Sequence, residues 1–185
     1  MKQKLRQALS LKQKQQIIDP GRTSAAVLVP LFHKRGQYHI LFIKRSEKVK
    51  KHRGEISFPG GTRENSDKTL LETALRESAE EIGLMADDVE VLGELDDEVS
   101  VKTNYVISPF VGFIPWPYRF QADGHETEAI IEAPISALLN NNSSRQEIRD
   151  DKEVTSYFYN YEDKVIWGAT ARILNKFLDI FTRVA

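Results

Sequence analysis

The sequence contains no cysteine, which excludes a disulfide framework, a thiolate metal site and a cysteine nucleophile. A metal ion would have to take oxygen ligands or use the four histidines. No apolar run approaches the ~18 residues that span a bilayer, so no membrane partner is expected. The first residues, Met1-Lys2-Gln3-Lys4-Leu5-Arg6, lead into polar sequence where a secretory leader would need an apolar stretch, and the expected location is the cytoplasm. Excess charge of one sign is also missing. A formal net charge of −1 gives no global attraction for nucleic acid.

What is present suits one globular domain. The 185 residues are 41% hydrophobic and 29% charged, enough for one core and too few for two comfortable domains. Charge is segregated along the chain. Residues 44–53 are basic (Lys44, Arg45, Lys48, Lys50, Lys51, Arg53 against Glu47), whereas 87–98 carry acids and no base. A basic segment of this kind suits a small anionic ligand or a solvated surface.

Residues 2–19 read as an N-terminal helix or arm that ends at Pro20-Gly21. The runs at 25–32 and 38–45 read as two strands of a hairpin across HKRGQ. A charged loop follows to Gly54, then a short strand, EISF, and a turn at Pro59-Gly60-Gly61. A helix is expected over 67–82, strands over 89–95, 105–114 and 128–132, and a helix or turn over 134–139. The stretch NNNSSRQEIRD from 140 reads as a polar loop and SYFYNYEDKVIWG as a hairpin. A helix over 169–182 closes the chain, with Ile173, Leu174, Phe177, Leu178 and Phe181 on its apolar side. Strands, a central helix, more strands and a terminal helix make an α/β or α+β layered domain.

The central helix carries the chemistry. Stepping about 100° per residue, Leu71, Ala74, Leu75, Ser78, Ala79 and Ile82 share one side, and Glu77, Glu80 and Glu81 form an acidic flank. Like charges four apart destabilise a helix by about 0.2–0.5 kcal/mol, and acids near its C-terminus oppose the macrodipole. A divalent cation such as Mg²⁺ or Mn²⁺ would compensate, because it takes hard oxygen ligands and keeps waters for a phosphate-bearing substrate. Glycines at 60 and 61 let backbone approach a ligand closely, Asp67 lies near the expected helix start, and Gly83 stands where a helix-ending glycine belongs.

The segment GGTRENSDKTLLETALRESAEEIGL resembles the Nudix box of the Nudix hydrolases. Arg76, Glu77, Glu80, Glu81 and Gly83 stand in register, whereas Asp67 replaces the usual Glu, the spacer before Arg76 is one residue longer, and Ser78 replaces an apolar residue. The preceding stretch LFIKRSEKVKKHRGEISFPGG (41–61) is similar to the signature of the coenzyme A pyrophosphatase branch. The likeness runs on through NYVISPFVGFIP, ETEAIIEAPISALL and VIWGATARIL.

The resemblance implies a Nudix fold, an α/β/α sandwich with a mixed central sheet and a loop-helix-loop, over 23–185, with 1–22 as an N-terminal helical arm. It also implies Mg²⁺- or Mn²⁺-dependent hydrolysis of coenzyme A or its derivatives to 3′,5′-ADP and 4′-phosphopantetheine. Glu77 and Glu81, with Glu80, would hold metal; Glu80 or Glu126 would be the base, with Glu128 a rival to Glu126; Arg76 would fix a neighbouring acid. Arg45, Arg53, Lys51, Gly60 and Gly61 would bind substrate, with His52 positioning their loop. Alternatives are another nucleoside diphosphate compound (NADH, ADP-ribose, a dinucleoside polyphosphate) or a non-catalytic nucleotide-sensing module. The family also suggests a homodimer. Asp96-Asp97-Glu98 is expected as a solvated loop rather than part of the site. Trp167, Tyr157, Phe158, Tyr159 and Tyr161 are expected to build core or a dimer contact rather than stack on a base.

Overall fold

A computed structural model describes residues 1–48, 52–100, 103–149 and 152–185. Strands β1 (Thr23–Lys34), β2 (Gln37–Arg45), β3 (Ile56–Ser57), β4 (Gly60–Thr62), β5 (Glu90–Glu94), β6 (Glu98–Ser100), β7 (Tyr105–Phe113) and β8 (Thr127–Pro134) form an eight-stranded mixed sheet. Its spine runs β3-β2-β1-β7-β5, with β1 and β7 parallel from Thr23↔Tyr105 to Leu31↔Phe113. Strand β1 is shared at its edge. Its last residues pair with β2 and its first ones, Ala25 to Val27, pair with β4.

The near-continuous apolar runs of β1 and β2 follow from burial on both faces, since side chains alternate along a strand. Val29, Leu31, Ile40 and Phe42 enter one core, and Ala26, Leu28, Leu41 and Ile43 enter the other. Helix α4 (Gly168–Val184) covers the first with Ile173, Leu174, Phe177, Leu178 and Phe181. Helix α2 (Leu70–Ile82) covers the second with Ala74 and Ile82. This is the layered α+β arrangement expected, helices on both faces of a mixed sheet.

The N-terminal stretch is helical over Lys2–Leu11 (α1), and 13–19 then carry no regular secondary structure. Leu5 and Leu9 of α1 are buried in the first core. A Cβ on Gly93 would stand 2.7 Å from that of Leu9, so β5 has no room there for a side chain.

Two boundaries depart from expectation. The helix expected from 67 begins at Leu70, because the Thr69 hydroxyl accepts from Glu72 N at 3.1 Å and caps it. The helix or turn expected over 134–139 is α3 (Ile135–Asn140), and the polar loop expected from 140 is instead a strand, β9 (Asn142–Arg149). It pairs antiparallel with β10 (Lys152–Tyr161), which turns into β11 (Lys164–Ile166). The ladder overrides the polar composition, and Thr155 and Ser156 add cross-strand hydrogen bonds to Gln146 and Glu147. No helix among the described residues is long and apolar enough to cross a membrane.

Candidate active site

Helix α2 is held at both ends by its own sequence. Thr69 caps the first turn, and Gly83, left-handed at φ 67°, donates its N–H to Ala79 O at 3.0 Å. Two more end carbonyls are taken by the 121–126 loop: Gln121 N donates to Ile82 O at 2.9 Å and Asp123 N to Glu81 O at 3.1 Å. Asp123 in turn accepts from Glu126 N and Thr127 N. That loop brings Glu126 alongside the acidic end of the helix.

Glycines make the facing wall. Gly60, at φ 149°, could carry no side chain, because its Cβ would stand 2.3 Å from Ala26 O; its N–H donates to Glu81 Oε2 at 2.9 Å. A Cβ on Gly61 would fall 2.5 Å from the Glu77 carboxylate carbon. The expected turn at 59–61 thus becomes the start of β4, pressed against two of the three helix acids.

Arg76 is fixed from several directions. Asp67, buried, accepts from Arg76 Nε and Nη2 at 3.1 Å each and also from Glu64 N and Thr73 Oγ1. The paired guanidinium, foremost, holds the Asp67 carboxyl far below the usual range, and Asp67 holds Arg76 above its own. Arg76 Nη2 also donates to Thr62 O, while Nη1 reaches Glu77 Oε1 at 3.0 Å and Glu80 Oε2 at 3.1 Å. Asp67 therefore anchors Arg76 instead of capping the helix.

Glu81 differs from these. It is 4% exposed, and burial, reinforced by Glu77 and Glu126, pushes its carboxyl up to about 8 against the Gly60 N–H and the charge of Arg45. Burial likewise raises Glu77, against the pull of Arg76. Arg45 stands 3.6 Å from Glu81 Oε1 and 3.8 Å from Glu126 Oε2. Glu128 points elsewhere, onto Lys44 at 2.7 Å. Glu77, Glu81 and Glu126 offer only hard oxygen donors whose charges oppose one another, a chemistry that fits a divalent cation. Arg76 and Arg45 face them as placed, and no three His, Asp or Glu side chains among the described residues form a group that could enclose an ion.

A cavity of about 600 Å³ opens beside Arg45, Gly60 and Gly61 and runs towards Tyr157, Phe158 and Trp167. These three were expected in core or at a dimer contact. Tyr159 is in the core, with Tyr161 and Tyr157 packed against it, while Tyr157 also forms cavity wall together with Phe158 and Trp167. Their strand periodicity gave no sign of this, since the opposing wall comes from β1, β3, β4 and β7. His52 lines the cavity and pairs with Glu55 at 2.7 Å. Arg53 instead lines a smaller neighbouring cavity with Lys44 and Lys164. Lys50 and Lys51 lie outside the described residues.

The acidic run 96–98 is neither solvated nor at the site. Asp97, 5% exposed, accepts from Ser108 Oγ at 2.7 Å and Ile17 N at 2.9 Å and lies 3.0 Å from Lys14. Asp96 takes Lys12 and Gln15 N, and Glu98 takes Arg172 and Lys176.

Residues 22–163 match the NUDIX domain family. The chain is 34% identical over 154 residues to an uncharacterized Nudix hydrolase, NudL, of Photorhabdus laumondii, covering 82% of this chain and 81% of that protein. It is 35% identical over 161 residues to NudL of Klebsiella pneumoniae, covering 84% and 81%. Among solved structures, a MutT/nudix family protein from Enterococcus faecalis superposes with a TM-score of 0.60 at 17% identity, over 95% of this chain and 66% of that one. The NUDIX domain of Shewanella oneidensis NrtR, crystallised with ADP ribose, gives 0.53 at 18% identity over 66% and 82%. At such identities the structural likeness speaks for the fold alone.

Proposed function

The chain belongs to the Nudix hydrolase family, and from that premise we propose that it cleaves the diphosphate of coenzyme A or a derivative, releasing 3′,5′-ADP and 4′-phosphopantetheine or its acyl form. One observation carries the reading. The stretch 41–61, whose pattern resembles the coenzyme A pyrophosphatase signature, supplies both Arg45 and Gly60 against Glu81 and one wall of the adjoining cavity. Signature, acids and cavity are therefore contiguous.

Nudix hydrolases generally use divalent ions such as Mg²⁺ or Mn²⁺, and here Glu77, Glu80 and Glu81 would hold them. When bound, such an ion neutralises the diphosphate and favours attack by water. The chain's own groups do the rest. Arg45 and the Gly60-Gly61 backbone face the end of the cavity where the diphosphate would lie, and Arg45 offers a forked donor to its oxygens. Water adds to one phosphorus as the bridging P–O bond breaks, the bridging oxygen leaves with the other phosphate, and the water's proton passes to a carboxylate base. Placement favours Glu126 for that task over Glu80. Glu126 lies beside Arg45 at the cavity end, whereas Glu80 is turned onto Arg76. Arg76, anchored by Asp67, fixes Glu77 and Glu80. The uncharged arm or the base of the substrate would occupy the cavity between Phe58 and Trp167.

The test is a panel of coenzyme A, NADH, ADP-ribose and a dinucleoside polyphosphate with Mg²⁺ or Mn²⁺, products identified by mass. Coenzyme A should be turned over fastest, with 3′,5′-ADP released. Faster cleavage of NADH or ADP-ribose would overturn the substrate, and no cleavage of any compound would favour a nucleotide sensor.

A further inference from the structure

Two arginines face the acids of α2, and they are held very differently. Arg76 is locked: Nε, Nη1 and Nη2 all donate at 3.0–3.1 Å to Asp67, Glu77, Glu80 or Thr62 O. Arg45 is loose. Its nearest carboxylate oxygens stand at 3.6 and 3.8 Å, beyond the roughly 2.7–3.2 Å of an N–H···O hydrogen bond. Its Nε is buried with no hydrogen-bond partner, which leaves a donor unsatisfied in the observed position. Its side chain is 22% exposed and lines the 600 Å³ cavity. The cation thus touches the acids on one side and open space on the other.

We propose that Arg45 is a movable counter-charge, which sits against Glu81 and Glu126 while no divalent ion is present and swings to the cavity side, towards a substrate phosphate, when an ion takes Glu81. An ion that draws on Glu81 weakens that carboxylate's already long contact with Arg45. An ion binding alone therefore loosens Arg45, whereas a diphosphate in the cavity gives the loosened guanidinium a partner. Ion and diphosphate binding are then coupled through one side chain, and linkage makes the coupling reciprocal. This deepens the proposed function but depends only on a divalent ion and a phosphate-bearing ligand sharing the site, not on coenzyme A being that ligand.

The experiment uses the full chain and the metal alone. Mn²⁺ is titrated by electron paramagnetic resonance into the wild type, Arg45→Gln and Arg45→Lys, with thermal melts to confirm folding. Removing the competing charge should tighten Mn²⁺ binding about tenfold in Arg45→Gln, with Arg45→Lys near the wild type. In parallel, the Arg45 Nε–H resonance, assigned by its loss in Arg45→Lys, is followed while Mg²⁺ is added, with Arg172 on Glu98 as the static control. A shift at Arg45 and none at Arg172 is expected. Equal or weaker Mn²⁺ binding by folded Arg45→Gln, or an Arg45 resonance unmoved as Mg²⁺ saturates, overturns the proposal. Because neither readout uses turnover, a wrong choice of substrate leaves both expectations standing.

Discussion

Asp96, Asp97 and Glu98 follow one another from the β5–β6 loop into the first residue of β6, and Glu77, Glu80 and Glu81 crowd the last turns of α2; both are acid triplets of like size, and cations face each. In the loop every carboxylate has close donors: Asp96 takes Lys12 and Gln15 N, Asp97 takes Ser108 and Ile17 N, Glu98 takes Arg172 and Lys176. Burial alone would raise the Asp96 carboxyl, but those donors outweigh it and hold it below its ordinary value. On the helix, burial wins and Glu81 rises to about 8. The loop acids are spent on structure, tying residues 12–17 and α4 to the sheet. The helix acids are less fully satisfied, with Arg45 only 3.6 and 3.8 Å from Glu81 and Glu126 and burial opposing the Glu81 charge, a condition that a divalent cation relieves.

The largest effect that would break this contrast comes from Glu81→Gln. Turnover with metal should fall about 10³-fold, near 4 kcal/mol of barrier. Stability should move the other way. In the metal-free fold the carboxyl keeps a proton up to about 8 that the unfolded chain releases near its ordinary 4.5. The stabilisation linked to that proton is full below the lower value and is lost as pH climbs to the upper one. Gln carries no such titration, so in chelator-treated protein the variant's unfolding free energy should gain on the wild type's between about pH 5 and pH 8, by at most a few kcal/mol, read as a pH-dependent difference in melts. A constant difference across that range would return Glu81 to the ordinary, solvated kind of acid.

Asp97→Ala is the matching perturbation of the loop. It leaves Lys14, the Ser108 hydroxyl and Ile17 N–H without their shared acceptor, and breaking such a buried set destabilises by about 3 kcal/mol. Chemical denaturation should report that loss, while kcat per folded molecule stays within about twofold. If the loss fell on kcat instead, the two triplets would belong to one site.

What was legible in the sequence was local. The acids of α2, Gly83 at its end and the apolar runs of β1 and β2 lie within a few residues of what they act on, and their periodicity placed them. The family pattern, spread over adjacent residues, was legible for the same reason. Contacts between distant segments were not. Asp97 meets Lys14 and Ile17 some 80 positions away, so an acidic loop read alone resembles solvated surface. Trp167 becomes a cavity wall only through the opposing strands. β9 is a strand because of β10, against its polar composition. Asp67 stood two residues before the hydroxyl that caps the helix, and only the fold turns it onto Arg76.

The smallest effect sharpens the boundary between the two acid triplets. Glu98 accepts from Arg172 Nε at 2.7 Å and Lys176 Nζ at 2.8 Å, and Arg172, which also donates to Val99 O, forms part of the cavity wall with Ser100 and Thr103. Glu98→Gln preserves size and one acceptor but removes the charge, and its amide N–H₂ opposes one of the two cations. A loss of about 1 kcal/mol of stability is expected for this partly exposed set. The freed Arg172 should loosen the cavity wall and raise KM about threefold with kcat unchanged, the signature of weakened ground-state binding. An unchanged KM would confine the loop to holding the fold together, and a kcat loss beyond tenfold would mean that its charge reaches the reacting phosphate after all.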